Sequence, residues 1–179
     1  MRSIHILPIQ FSYSNFLQPL QSCIESQFDI PSSIISDTFD CSNSFDIRRN
    51  QYNSSFILND LLNVNHTESA KLIGVTSLDL FIPVLTFVFG EAQLDGPTAV
   101  VSTHRLRPEY YGLPPDKPLV LLRLQKETVH EIGHTFGLGH CENFNCVLHP
   151  STYVEEIDLK SVNFCDDCKN KLKNKKLSF

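Results

Sequence analysis

The chain has 179 residues, enough to bury a substantial core as one domain. Hydrophobic residues make up 41% and charged ones 20%, the balance of an ordinary globular protein, and no apolar run is long enough to span a bilayer. A net charge of -5 argues against a nucleic-acid binder that works by charge alone.

The N-terminal MRSIHILPIQF carries one early Arg, but His5 and Pro8 break its apolar run and no small-residue cleavage site follows. The expected location is therefore the cytoplasm. Ile4–Ile9 is a compact strand candidate. Leu17, Leu20, Ile24 and Phe28 recur at helical spacing, with Pro19 tolerable only in the first turn. Ser32–Ser36 reads as a second strand, and the Ser-, Asn- and Asp-rich stretch from Ser36 to Arg49 as a surface loop. Ile57, Leu58, Leu61 and Leu62 mark one face of a second helix ending near Asn63–Asn65. Three strands are predicted next, Lys71–Ile82, Thr86–Gln93 and Thr98–His104, broken at Pro83 and at Asp95-Gly96-Pro97. A proline-rich loop, Arg105–Pro118, precedes a helix over residues 119–136. On that helix Leu121, Leu124, Val129, Ile132 and Phe136 gather on one side, with His130 and His134 roughly opposite, facing a cleft. Lys169 to Lys176 carries five lysines and reads as a solvated helix end or tail. The order predicts a mixed sheet backed by helices in an α/β structure.

Residues 130–141 read HEIGHTFGLGHC. His130 and His134, four apart, project from one helix face, and Glu131 can point towards a water on the same metal. Gly137 lets the backbone leave the helix and swing His140 back as a third ligand. Three neutral imidazoles with an open fourth position suit a catalytic zinc. Of the six cysteines, Cys141, Cys146, Cys165 and Cys168 form C-x4-C and C-x2-C pairs close to the spacing of a four-cysteine zinc site. A disulfide reading would require export. Cys23 and Cys41 lack partners at ligand spacing and are expected as free thiols in or near the core.

With both clusters placed, the chain resembles the archaemetzincins, a branch of the metzincin-like zinc peptidases. The resemblance rests on HEIGHTFGLGHC, on Cys146 and on CDDC at 165–168, while LIGVTSLDLFIP and FVFGEA look like the family's central and edge strands. It implies one domain over residues 1–179, a mixed twisted β-sheet backed by helices, with a sheet-and-helix subdomain (1–137) and a C-terminal zinc-bound subdomain (138–179). It also implies two zinc ions. His130, His134 and His140 would hold the catalytic one with Glu131 as general base, and Cys141, Cys146, Cys165 and Cys168 the structural one. One departure stands out: the family has Met two residues after the second Cys, where this chain has Leu148. Leu and Met are similar in volume, and such exchanges usually cost under ~1.5 kcal/mol.

The chemistry implied is metal-assisted hydrolysis of a peptide lying extended near Thr86–Ala92, with aminopeptidase-like removal of N-terminal residues as its finer form. Holding a substrate amine needs a carboxylate, for which Glu91, Glu109 and Glu142 are candidates, and His149 lies close enough in sequence to reach the cleft. The alternative is a two-zinc binding or structural module without catalysis, favoured by Leu148 and opposed by the intact Glu131. Nucleic-acid binding through the cysteine knot and the lysine tail has the acidity against it, and no membrane partner is expected. Neither the oligomeric state nor the native metal of the three histidines is set by the sequence.

Overall fold

A computed structural model describes residues 2–64 and 70–178. In chain order it contains β1 (Ser3–Ile9), α1 (Leu17–Phe28), β2 (Ser32–Ile34), β3 (Phe45–Asp46), β4 (Gln51–Asn53), α2 (Ser54–Leu61), β5 (Ala70–Thr76), β6 (Leu80–Phe81), β7 (Gly90–Ala92), β8 (Thr98–Ser102), α3 (Lys117–Thr135), α4 (Val154–Leu159) and α5 (Asp166–Ser178). The five-stranded sheet runs β2-β1-β5-β8-β7. Its first four strands are parallel, and β7 pairs antiparallel with β8 at the edge. Side chains alternate across it as the pleat requires. Ile4, Ile6, Ile73, Val75, Ala99 and Val101 pack in one cluster with residues of α1 and α3. Leu7, Ile9, Leu72 and Val100 face the other way, onto α2. Helices on both faces explain why β5 and β8 are buried throughout. The first cluster also takes in Val147, Leu148, Ile157, Phe164 and Leu172, so the segments before and after residue 138 share one core.

Several boundaries differ from the sequence reading. Lys71–Ile82 is not one strand: β5 ends at Thr76, whose Oγ1 accepts the Leu78 N–H at 3.2 Å. β6 then joins a separate small sheet, β3-β4-β6. Asp79 drives the division. Its carboxylate accepts two bonds from Arg105, at 2.6 and 2.7 Å, and its carbonyl takes the Tyr52 N–H at 2.8 Å. Thr86–Gln93 narrows to β7, preceded by a single bridge between Leu80 and Val88. The expected loops after Ser36 and Arg105 contain short 3₁₀ turns, at Ser42–Ser44, His104–Leu106 and Pro108–Tyr111. α2 ends at Leu61, and Asn65, to which its end was extended, lies outside the described residues. The lysine run forms α5, docked by Lys175 on Asp95 and by Lys176 on the Phe28 carbonyl. Cys41 is buried and Cys23 half-buried. Among the described residues no helix is long and apolar enough to cross a membrane.

Candidate active site and metal centres

α3 carries most of the site. Asp116 caps its start by accepting the Leu119 N–H at 3.0 Å, and Pro118 lies in the first turn, where a missing N–H costs nothing. The expected two-faced helix is true only of its first half. From Lys126 to Thr135 every residue except His134 is buried, because the sheet, α1, α4 and the segment after residue 145 surround it. The far end closes in a Schellman pair: Leu138 N–H donates to Gly133 O at 3.2 Å and Gly137 N–H to His134 O at 2.8 Å. Gly137 makes this possible with φ +76, a conformation side chains disfavour. Lys71 Nζ, donating to Thr135 O at 2.9 Å, adds positive charge at the helix C-terminus.

The turn delivers His140 to the first two histidines, and the ligand atoms of His130, His134 and His140 all lie within 4.8 Å of one another. His130 Nδ1–H donates to Val147 O at 2.8 Å and His134 Nδ1–H to Leu138 O at 2.6 Å. Both Nε2 lone pairs are thereby turned towards each other, 3.0 Å apart. Two acceptors at that separation repel unless a cation lies against both, and tetrahedral zinc sets its nitrogens about 3.3 Å apart. The donor set therefore fits zinc. Burial, followed by the charge of Lys160, lowers the His130 and His140 pKa values; for His134 burial is again the leading cause. All three shifts favour the neutral form that binds metal.

Glu131 is packed into the same cleft. Burial first and Glu127 second push its carboxyl well above the usual range. The space beside it exists because residue 90 is glycine: a Cβ there would stand 2.7 Å from Glu131 Cγ and 2.9 Å from Oε1. The cleft holds about 290 Å³ and is walled by Leu85–Gly90 on one side and Pro150–Thr152 on the other, with Glu127, His130, Glu131 and His140 between. Segment 85–90 is fastened from outside by Arg49 on the Leu85 carbonyl and Gln51 on the Thr86 carbonyl.

Among the described residues Cys141, Cys146, Cys165 and Cys168 form the second convergent cluster, their sulfurs again within 4.8 Å. Cys141 Sγ and Cys165 Sγ are 3.7 Å apart, close to the ~3.8 Å edge of a tetrahedron with 2.3 Å zinc–sulfur bonds. Burial raises the Cys146 and Cys168 pKa values, so a cation is what would hold these two sulfurs as thiolates. Cys141 N–H donates to Leu148 O at 3.0 Å, which ties this cluster to the turn under the active helix. Leu148 itself is fully buried and lies 2.9 Å from where a Cβ on Gly133 would stand. It therefore fills the place expected of Met.

None of the proposed amine anchors lines the cleft. Glu91 is held by Ser54 and Ser55 Oγ, Glu109 is exposed on a 3₁₀ turn, and Glu142 faces the cysteine cluster. His149 also stays out, with Nδ1 2.9 Å from Cys141 O and its ring against Phe144. Sequence reasoning missed Gly90 and a group of charges behind α3. Arg123 pairs with Asp158 at 2.6 Å, Lys126 Nζ donates to Ile157 O at 2.8 Å, and Glu127 pairs with Lys160 at 2.9 Å. The available signal was three charged residues within one helical turn of a predicted apolar face.

A family model described as peptidase family M54 matches residues 8–174. Archaemetzincin of Methanocaldococcus jannaschii is 44% identical over 132 residues, 74% of this chain and 72% of that protein. Archaemetzincin of Archaeoglobus fulgidus is 41% identical over 146 residues, covering 82% and 81% of the two chains. A crystal structure of a zinc-dependent peptidase from Methanocorpusculum labreanum superposes with a TM-score of 0.85 at 31% identity, over 94% of this chain and 99% of that one. The crystal structure of archaemetzincin from Methanopyrus kandleri gives 0.82 at 32% identity, over 98% and 96%. The motif, the fold and these relatives agree: the chain belongs to peptidase family M54, the archaemetzincins, and is by that membership a zinc metallopeptidase.

Proposed function

We propose that the chain hydrolyses peptide bonds with zinc held by His130, His134 and His140, with Glu131 as general base. A second, structural zinc would be held by Cys141, Cys146, Cys165 and Cys168. The observation that carries this reading is Glu131. It is a buried carboxylate in the same cleft as His130 and His140, and among the described residues no donor bonds it. Zinc in the three-histidine set supplies a Lewis acid that activates water and polarises a carbonyl. Glu131 takes the proton of the attacking water on its carboxylate and returns it to the leaving amine. The outer edge of β7 ends the sheet order, so an extended peptide can add to it as a strand across the cleft. Residues 1–137 and 138–179 act in this reading as parts of one domain, the second fixing the loop that brings in His140. Six free cysteines agree with a reducing compartment, the cytoplasm.

The finer proposal is aminopeptidase-like action on short peptides. Its support is the family resemblance, since the one further carboxylate that lines the cleft among the described residues, Glu127, is already paired with Lys160. The test is a matched pair of peptides with free and acetylated N-termini, incubated with the zinc-loaded protein with and without phenanthroline. Stepwise loss of N-terminal residues from the free peptide alone, abolished by chelator, is expected. Equal cleavage of both peptides would assign internal hydrolysis and overturn the finer form. No cleavage of either would favour the non-catalytic two-zinc module.

A further inference from the structure

Directly behind His130 lies a buried ammonium that the hydrolytic scheme does not use. Lys160 Nζ is 2.9 Å from Glu127 Oε1, 3.1 Å from the His149 carbonyl and 3.5 Å from His130 Nδ1. Its side chain is 1% exposed and that of Glu127 is 5% exposed. A positive charge here is unfavourable for a cation site built on His130, and water is too scarce to screen it. Docking of α4 does not account for it. Arg123 on Asp158, and Lys126 on the carbonyls of Ile157 and Asp158, already bind the end of α4 to α3. Nor does stability, since a buried ion pair is commonly replaceable by apolar residues at no loss. The Lys160 bond to the His149 carbonyl holds the turn after Cys146, a task that any donor there could perform, and the charge itself is what that bond leaves over.

We propose that Lys160 and Glu127 set the metal affinity of the three-histidine site. Lys160 acts as a fixed positive charge behind His130 that weakens cation binding, and Glu127 offsets that charge enough for the metal to stay. Glu127, one helical turn before Glu131, is held on Lys160 while lining the same cleft as the base. The inference rests on the reading of the histidine cluster as a metal site, and its readout is metal binding, which needs no substrate.

The experiment measures zinc affinity of the three-histidine site by competition with a chromophoric chelator, in protein whose four-cysteine zinc is retained by metal analysis. Glu127→Gln should weaken binding about tenfold, and Lys160→Met should tighten it about tenfold. Lys160→Arg should stay near wild type. Lys160→Met leaves a buried carboxylate unpaired and can fail to fold. The decisive comparison is therefore Glu127→Gln against the double variant with Lys160→Met, in which no unpaired carboxylate remains. The double variant should regain the tenfold loss. Equal affinities in that pair, or weakening in every variant, would show a packing role only and overturn the proposal. A wild-type protein that binds a single zinc would overturn the metal reading itself, and this proposal with it.

Discussion

Replacing Gly90 by Ala would put a methyl carbon 2.7 Å from Glu131 Cγ, 2.9 Å from its Oε1 and 2.7 Å from the Val100 carbonyl oxygen. Ordinary contacts of this kind lie at about 3.5–4.0 Å, so both sides overlap by close to an ångström. Val100 cannot withdraw, because its backbone is paired in register with Glu91 of β7. The methyl must therefore shift off the Val100 carbonyl, and Glu131 must move to make room for it. Overpacking of this size costs about 1–3 kcal/mol, and a misplacement of about 1 Å at a reacting group costs on the order of 10²-fold in rate. Gly90→Ala should therefore lower kcat about a hundredfold, with a modest fall in Tm and unchanged zinc content. The assay is kcat and KM on a peptide the wild type cleaves, with metal analysis and a thermal melt alongside. Wild-type kcat in a folded Gly90→Ala protein would refute the claim that this glycine makes room for the base.

Cys168→Ala should lower Tm more than His140→Ala, because Cys168 is buried in a cluster that anchors both the His140 loop and α5. Matching melts would mean the four cysteines hold no structural metal. Burial raises the Cys23 pKa to about 11, so the thiol should resist alkylation at pH 8 in the native state and react on unfolding. Between the unfolded value near 9 and about 11 the folded chain holds the extra proton, so Cys23 costs stability as pH rises through that window. Cys23→Ala should flatten the alkaline fall in Tm, and an unchanged slope would show the thiol to be solvated. Leu148→Met should leave Tm within a few degrees of wild type, since the exchange conserves volume in a site already filled.

The chemistry was far more legible in the sequence than the charges that support it. HEIGHTFGLGHC states its own geometry: helical spacing aligns His130 and His134, and Gly137 forces the turn that returns His140. The four cysteines were legible for the same reason, as ligand spacing constrains where they can meet. β1 was legible as a compact apolar run, buried on both faces at Ile4, Ile6, Leu7 and Ile9, and α1 from the helical spacing of Leu20, Ile24 and Phe28. β6 was absorbed into β5 because the break depends on Asp79 meeting Arg105, 26 positions away. α4 was missed as a six-residue helix too short to show a period. Lys160 and Glu127 carry no motif, and their role depends on α4 folding back behind α3.

In the proposed function Glu131 is the base for zinc-dependent peptide hydrolysis beside the three histidines. A broad peptide library digested by zinc-loaded wild type and zinc-loaded Glu131→Ala protein, with products identified by mass spectrometry, tests it most directly. Cleavage by the wild type, a loss of about 10²–10⁴-fold in the variant and equal zinc content in both are expected. Equal cleavage by the two proteins, or none by a wild type carrying both zinc ions, would contradict it.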